Sequence, residues 1–330
     1  MLRKLMLAAV AGLVAVAAQA ADFKPAVVYD LGGKFDKSFN EAAYTGAEKF
    51  KADTGVEYRD FEIQNDAQRE QALRRFAQQG YSPILAIGFS QAAAVEKIAE
   101  EFPDTQFGIV DMVVEKPNVR SILFKEHEGS YLVGVMAAMA SETGKVGFVG
   151  GMDIPLIRKF ACGYVGGVKS VNPDAEVFEN MTGDTGAAWN DPGKGAELAR
   201  SQMDRGADVI YHAAGGTGIG VLNAVADAGK LGIGVDSNQN GLQPGHILTS
   251  MLKRVDQAVY AAFKDAQEGN YTTGFDVLGL KEGGVGYAMD ENNASLVTPE
   301  MQAAVDAAAQ KIISGEVEVH DYMSDSACPY

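Results

Sequence analysis

The chain has 330 residues, with 28 Lys and Arg against 44 Asp and Glu, a formal net charge of −16 and an ordinary 47% hydrophobic content. Without Arg3 and Lys4, which belong to a leader, 26 basic residues remain, the net charge is near −18 and no polybasic stretch is left. So acidic a chain excludes nucleic acid and anionic membrane surfaces as partners.

Met1 to Ala20 reads as a secretory signal peptide. Arg3 and Lys4 precede an apolar run from Leu5 to Ala18, and Ala18-Gln19-Ala20 is a small-x-small cleavage site. The run is shorter than the ~20 residues that span a bilayer, and no cysteine follows to carry a lipid, so a soluble product starting near Ala21 is expected. The remaining ~310 residues exceed what one hydrophobic core usually serves, which predicts two lobes. Cys162 and Cys328 would meet an oxidising compartment. Their spacing allows a disulfide, and equally a buried thiol at 162 with an exposed one in the tail.

After the leader, Ala26 to Tyr29 is a short β-branched strand that runs into the turn Gly32-Gly33. Ser38 and Glu41 have capping-box spacing, so a helix is expected from Phe39, with Phe39, Ala43, Gly46 and Phe50 facing the sheet. Phe35, Asp36, Lys37 and Asn40 are left without a core duty. A strand at 56–61 follows, then a helix capped by Asp66 and ended by Gly80, a strand at 84–87, an alanine-rich helix at 91–100 and a strand at 107–110 that stops at Asp111. This βαβαβαβ order forces parallel pairing with right-handed crossovers.

The alternation restarts beyond a strand at 121–124 and a helix at 129–140. Strands at 145–149, 176–178, 209–211 and 232–235 alternate with helices, one around 157–171 and one begun by Asp191-Pro192. Extended segments at 246–250 and 275–280 flank a helix at 251–267 and are read as crossings between lobes, since no linker-like stretch separates the halves. A helix at 301–313 closes the fold, and the polar tail from His320 is expected to be loose. The fold class is therefore α/β, with a first lobe of residues 21–124 plus 249–275 and a second of 125–248 plus 276–330.

Chemistry-bearing patterns are few. His127, His212, His246 and His320 are scattered, with no His-x-x-x-His or Cys-x-x-Cys spacing, so no metal site or cofactor is expected. Gly32-Gly33-Lys34 lacks the Ser or Thr of a Walker loop, and the run His212 to Gly220 lacks the G-x-G-x-x-G register. Its glycines suit either close backbone approach to a ligand or a turn needing positive φ. Gly88-Phe89-Ser90-Gln91-Ala92 is an imperfect nucleophile elbow followed by Asp236 and His246 in hydrolase order, but Ala92 replaces the second glycine and Ser90 suits a helix N-cap.

The remaining polar groups suit a neutral ligand. Asp111 and Asp236 each end an apolar strand, where the carboxylate serves either as a turn residue or as a bidentate acceptor. Phe35 and Trp189, the only tryptophan, would sandwich a flat ring, each face worth about 1 to 3 kcal/mol by analogy with bases on aromatic side chains.

The segments GGKFDKSFNEAAYTG, VGFVGGMDIPLIRKFACGYVGGV, WNDPGKG, DVIYHAAGGTGIGV, GVDSNQ and LTSMLKRVDQAV occur in one order along the chain. In them the chain resembles the basic membrane protein family of ABC-transporter substrate-binding proteins, the purine-nucleoside receptors. The resemblance implies a periplasmic-binding-protein type I fold, two α/β lobes joined by three crossings that close over ligand. It also implies a binder rather than an enzyme: a monomeric periplasmic receptor that hands purine nucleosides to an inner-membrane permease. Carried over by motif, Phe35 and Trp189 would flank the base, Asn40 and Asp111 would bond its edge, and Asp236 and Lys253 would take the ribose. Ser38, Ser90 and Gly215 would lie nearby.

This chain departs from the pattern in lacking the lipid-bearing cysteine, in carrying Trp189 where Phe is frequent, and in a tail through Cys328 that runs past the usual end. The alternatives are another flat hydroxylated ligand (nucleobase, sugar or signal molecule), a ligand sensor, or a hydrolase using Ser90.

Overall fold

The computed structural model describes residues 23–330, and the expected signal peptide lies outside them. Two six-stranded sheets form the framework. The first takes β1 (Ala26–Tyr29), β2 (Arg59–Glu62), β3 (Ile84–Ile87), β4 (Phe107–Val110), β5 (Val119–Phe124) and β11 (Gly274–Leu278) in the order β11-β5-β4-β3-β1-β2. All its pairings are parallel. Helices α1 (Phe39–Thr54), α2 (Gln68–Gln78), α3 (Ala92–Glu101) and α8 (Val255–Gln267) cover it. Alternate residues of β1 feed opposite faces: Val27 and Tyr29 meet Phe50 and Phe263, while Val28 meets Leu73 and Ile98. A parallel sheet buried on both sides needs such continuous apolar strands.

The second sheet takes β6 (Lys145–Met152), β7 (Glu176–Gly183), β8 (Val209–Ala213), β9 (Leu231–Asp236), β10 (Ile247–Lys253) and β12 (Val285–Tyr287), in the order β12-β10-β9-β8-β6-β7. Only β12 is antiparallel to its neighbour. Helices α4 (Glu126–Ala140), α5 (Pro155–Val171), α6 (Pro192–Asp204), α7 (Gly218–Asp227) and α9 (Pro299–Ser314) complete this lobe. Helices α4 and α5 pack backbone to backbone. A Cβ at Gly163 would lie 2.4 Å from the His127 carbonyl oxygen, and one at Gly167 would lie 2.0 Å from that of Tyr131. The glycines of FACGYVGGV serve this close approach.

The chain changes sheet after β5, after β10 and after β11, so three crossings join the lobes. The second and third fall later than the sequence suggested. β10 stays paired with β9 through Leu252 opposite Asp236, and β11 stays paired with β5 through Leu278 opposite Phe124. The changes expected after residues 248 and 275 thus move to Lys253 and Leu278, because nothing in LTSMLK breaks the extended pattern.

Two local expectations are corrected. Ser38 has no capping bond; instead Asp36 Oδ1 accepts from the Ser38 and Glu41 amides at 2.8 and 3.1 Å, and Oδ2 from the Asn40 amide at 3.0 Å. Asp36 therefore starts α1, and Glu41 accepts from the Lys37 amide instead. The tail is also held rather than loose. Cys328 forms a disulfide with Cys162 of α5, at a Cα separation of 5.6 Å, and the Tyr330 hydroxyl accepts from the His320 amide at 3.1 Å.

Candidate binding cleft

The C-terminal ends of the strands in both sheets face each other across a cleft of about 600 Å³, counting its mouth. Ligands of open parallel sheets bind at these ends. The first lobe contributes Asp30 after β1, Gly88 and Phe89 after β3, Asp111 after β4, and Phe39 and Asn40 from the first turn of α1. From the second come Phe160 of α5, Trp189, Gly215, and Asp236 and Lys253 at the ends of β9 and β10.

Asp111 and Asp236 occupy equivalent places, and both have left-handed backbone, φ 72° and 64°. That conformation costs a non-glycine residue about 1 to 3 kcal/mol, and it turns each carboxylate out of its strand and into the cleft. Lys253 Nζ lies 2.7 Å from Asp111 Oδ2 and 2.9 Å from Glu126 Oε1, with the Phe39, Phe124 and Phe160 rings 5.1, 5.2 and 5.5 Å away. Asp111 Oδ1 is a buried acceptor with no donor among the described residues.

Burial pushes the Asp111 carboxyl up to about 6, with Lys253 opposing the rise and Glu126 adding to it. Asp236 is likewise pushed up by burial to about 6, against Lys253 and the Ser38 hydroxyl. For Lys253, burial disfavours the charge, but Asp111, Glu126 and Asp236 outweigh it and hold the ammonium above its ordinary range. The cleft thus carries a fixed cation flanked by carboxylates that have capacity to accept.

At the other end the walls are flat and apolar. The Phe89 and Trp189 ring centroids are 6.5 Å apart, edge to face. The Trp189 ring lies on the backbone of β6, where a Cβ at Gly151 would fall 2.1 Å from its Cζ3. Asp30 sits beside this wall. Its Oδ1 accepts from the Leu31 amide at 2.8 Å and from Arg69 Nη2 at 3.0 Å, and its Oδ2 accepts from the Ser90 hydroxyl. The Asn40 amide oxygen accepts from the Asp30 amide at 3.1 Å, and its Nδ2 donates to Asp36 Oδ2 at 3.2 Å, so one Nδ2 hydrogen has no acceptor among the described residues.

Of the residues expected from sequence, Asn40, Asp111, Trp189, Gly215, Asp236 and Lys253 line the cleft. Phe35 does not. It is 59% exposed, stacked edge-on to Tyr44 at 5.2 Å, at the outer tip of a turn whose direction Asp36 and the positive-φ Gly32 and Gly33 set. Phe39, one helical turn inward, takes the wall position. Ser38 is buried just behind the cleft, and Ser90 lines an adjoining recess with Phe89 and Trp189.

Asp30 and Phe89 were missed. Asp30 has the signal that singled out Asp111 and Asp236, an aspartate ending an apolar strand, and Phe89 was visible only as part of the elbow pattern. That elbow has no triad: Asp236 is the last residue of β9 whereas His246 precedes the start of the parallel β10, which puts them at opposite ends of the strands. The Ser90 hydroxyl donates a hydrogen bond to Asp30 Oδ2 instead, and it caps no helix.

Across the cleft the lobes touch directly. The Ser237 hydroxyl donates to the Ser38 carbonyl at 2.8 Å, and Gln239 Nε2 donates to the Lys37 carbonyl at 2.9 Å. This is a closed arrangement.

Comparison with known proteins agrees with this architecture. The family described as ABC transporter substrate-binding protein, PnrA-like, matches residues 23–322. An ABC transporter nucleoside-binding protein BmpA of Lactococcus lactis subsp. cremoris is 34% identical over 323 residues, covering 90% of this chain and 89% of that protein. An uncharacterized lipoprotein of Pyrococcus abyssi is 37% identical over 289 residues, covering 82% and 70%. The crystal structure of an ABC transporter solute-binding protein from Aeropyrum pernix superposes with a TM-score of 0.83 at 32% identity, covering 91% of this chain and 93% of that one. The fold is the type I periplasmic-binding fold, and its cleft holds substrate without transforming it. The chain belongs to the PnrA-like family of ABC transporter substrate-binding proteins.

Proposed function

We propose that the cleft captures a purine nucleoside by hinge closure and delivers it to the permease of an ABC importer. The observation that carries this reading is the division of the cleft into two ends. Trp189 and Phe89 offer flat apolar walls for a base, Asp111, Asp236 and Lys253 form an acceptor-rich end with a fixed cation, suited to a vicinal diol, and Phe39, its ring 5.1 Å from Lys253 Nζ, forms the wall where the two ends meet. The free Asn40 N–H and the Asp30 carboxylate lie at the aromatic end and would meet the base edge. On this reading Asp111, tied to Lys253, would meet the ribose, where the motif resemblance implied the base edge. The name of the Lactococcus lactis relative, a nucleoside-binding protein, supports the same ligand class.

The protein would work outside the membrane that its transporter spans. Among the described residues no helix is long and apolar enough to cross a membrane. With no cysteine after the leader, the periplasmic form would be free of lipid, which detergent-phase partitioning of the native protein would show. Hinge closure has a physical basis in the two contact sets seen here, the direct hydrogen bonds between lobes and the lysine that bridges the crossings.

Calorimetry with adenosine, guanosine, inosine, adenine and ribose tests the ligand class. Nucleosides should bind more tightly than free bases, and ribose alone weakly. Tight binding of a sugar with no nucleoside binding would overturn the assignment.

A further inference from the structure

The cleft lysine is anchored from outside the cleft by a chain of charges that ends in the C-terminal tail. Lys253 Nζ meets Glu126 Oε1 at 2.9 Å, Glu126 Oε2 meets Lys159 Nζ at 2.9 Å, and Lys159 Nζ lies 3.7 Å from Asp321 Oδ2. The Lys159 ammonium also donates to the Phe124 carbonyl at 2.8 Å, at the last residue of β5 where the first crossing begins. Asp321 faces a recess behind the hinge, lined by Leu123, Lys125, His127, Lys159 and Val319. The chain of groups thus touches the first crossing through Phe124 and Glu126, the second through Lys253, and the tail through Asp321.

The tail does not hold itself there by burial, since residues 323–330 are exposed. Its tether is the Cys162–Cys328 disulfide, which ties it to α5 half a turn from Phe160, a residue of the cleft wall. The Tyr330 ring adds a contact on the same helix, against Gly166, where a Cβ would fall 2.6 Å from the ring. The family match ends at residue 322, so Cys328 and Tyr330 lie beyond it.

We propose that residues 320–330 act as a strap that positions Lys253 through Asp321, Lys159 and Glu126, and that the Cys162–Cys328 disulfide keeps the strap in place, so that reducing it weakens ligand binding. Two electrons and two protons from a dithiol convert the disulfide into two cysteine thiols, the dithiol itself closing to a disulfide. The strap then loses its covalent tie to α5 and keeps only non-covalent contacts with the lobe beyond α9, among them the Tyr330 ring against Gly166 and the buried Val319, so Asp321 leaves Lys159. Lys159 loses one of its two carboxylates, and the Glu126–Lys253 pair loses its outer support. Glu126, Lys159 and Asp321 are positioning residues, because none of them lines the cleft.

This inference rests on the nucleoside reading, in which Lys253 serves the ribose. The test compares full-length secreted protein in its oxidised form, the same protein reduced with excess dithiothreitol, and Asp321→Asn with its disulfide intact. Each is titrated with adenosine and with adenine. Reduction and Asp321→Asn should each weaken adenosine about fivefold or more, in the range usual for coupled sites, and should move adenine less than about twofold. Unchanged adenosine affinity in both, or equal losses for adenosine and adenine, would overturn the strap. Failure of the nucleoside reading shows differently, as oxidised wild-type protein that binds no nucleoside. The strap is then judged on ligand-free protein by small-angle scattering: a radius of gyration that rises on reduction upholds it, and one that stays fixed overturns it.

Discussion

Ser38 and Asp236 belong to different lobes, and the Ser38 hydroxyl donates to Asp236 Oδ2 at 2.5 Å across the closed cleft. The serine has no capping bond in α1, so this contact is its evident use. A hydrogen bond to a charged group contributes about 1.5 to 3 kcal/mol, enough to set how far the empty protein stays closed.

Ser38→Ala should therefore open the ligand-free protein. Small-angle scattering should give a larger radius of gyration than wild type, and adenosine affinity should fall about tenfold as closure loses this bond. An unchanged radius would mean that the other contacts between lobes suffice.

The aromatic assignment separates cleanly in two variants. Phe39→Ala should cost nucleoside binding about tenfold, the scale of one stacked face, whereas Phe35→Ala should leave calorimetric affinity within about twofold. The reverse order would restore Phe35 to the site.

Gly151→Ala should weaken binding by displacing the Trp189 ring, since all three of the nearest atoms to an added Cβ belong to that ring, at 2.1 to 2.8 Å. Trp189 is the only tryptophan, so its emission reports the displacement directly. In a Trp189→Phe background, where the ring is smaller, the same alanine should cost much less. Additive losses in the double-mutant cycle would show that Gly151 acts elsewhere.

The pH behaviour follows from burial. The folded-state values of Asp111 and Asp236 are raised to about 6. Between the ordinary carboxylate value and 6, the folded protein therefore holds protons that the unfolded chain has released. Stability from these groups falls as pH rises through that window and levels off above it. His212, buried and pushed down to about 4, opposes this trend, since its share of stability is lost as pH falls. Asp236→Asn isolates the aspartate. Its stability relative to wild type, by chemical denaturation, should rise between pH 4 and 6 and stay flat above. Adenosine affinity should run the other way in wild type, weakening below pH 6 as the acceptors protonate. A relative stability that does not change over this range would mean that Asp236 is not raised.

What the sequence made legible is what depends on neighbours in the chain. Strand and helix alternation gave the parallel α/β lobes, because each period needs only a few consecutive residues. Asp111 and Asp236 were readable because an aspartate at the end of an apolar strand lies, by topology alone, at the sheet edge where ligands bind. Asp30 had the same signature and was readable in the same way. Trp189 stood out in polar surroundings, and the order of motifs identified the family.

Contacts between distant residues belonged to the tertiary structure. Phe35 and Phe39 are four residues apart with the same side chain, and only the path set by Asp36 decides which ring enters the cleft. Ser38 suited a helix cap, yet its partner stands 198 residues away in the other lobe. Cys162 and Cys328 are separated by 166 residues, a spacing compatible with pairing or with two thiols until α5 and the tail are brought together. Glu126 and Lys159 are 33 residues apart, and only their shared burial beside Lys253 makes them part of one hinge network. Local patterning fixes secondary structure through short-range sterics and hydrogen bonds. Which distant side chains share a cleft is decided only when two separately legible lobes close on each other.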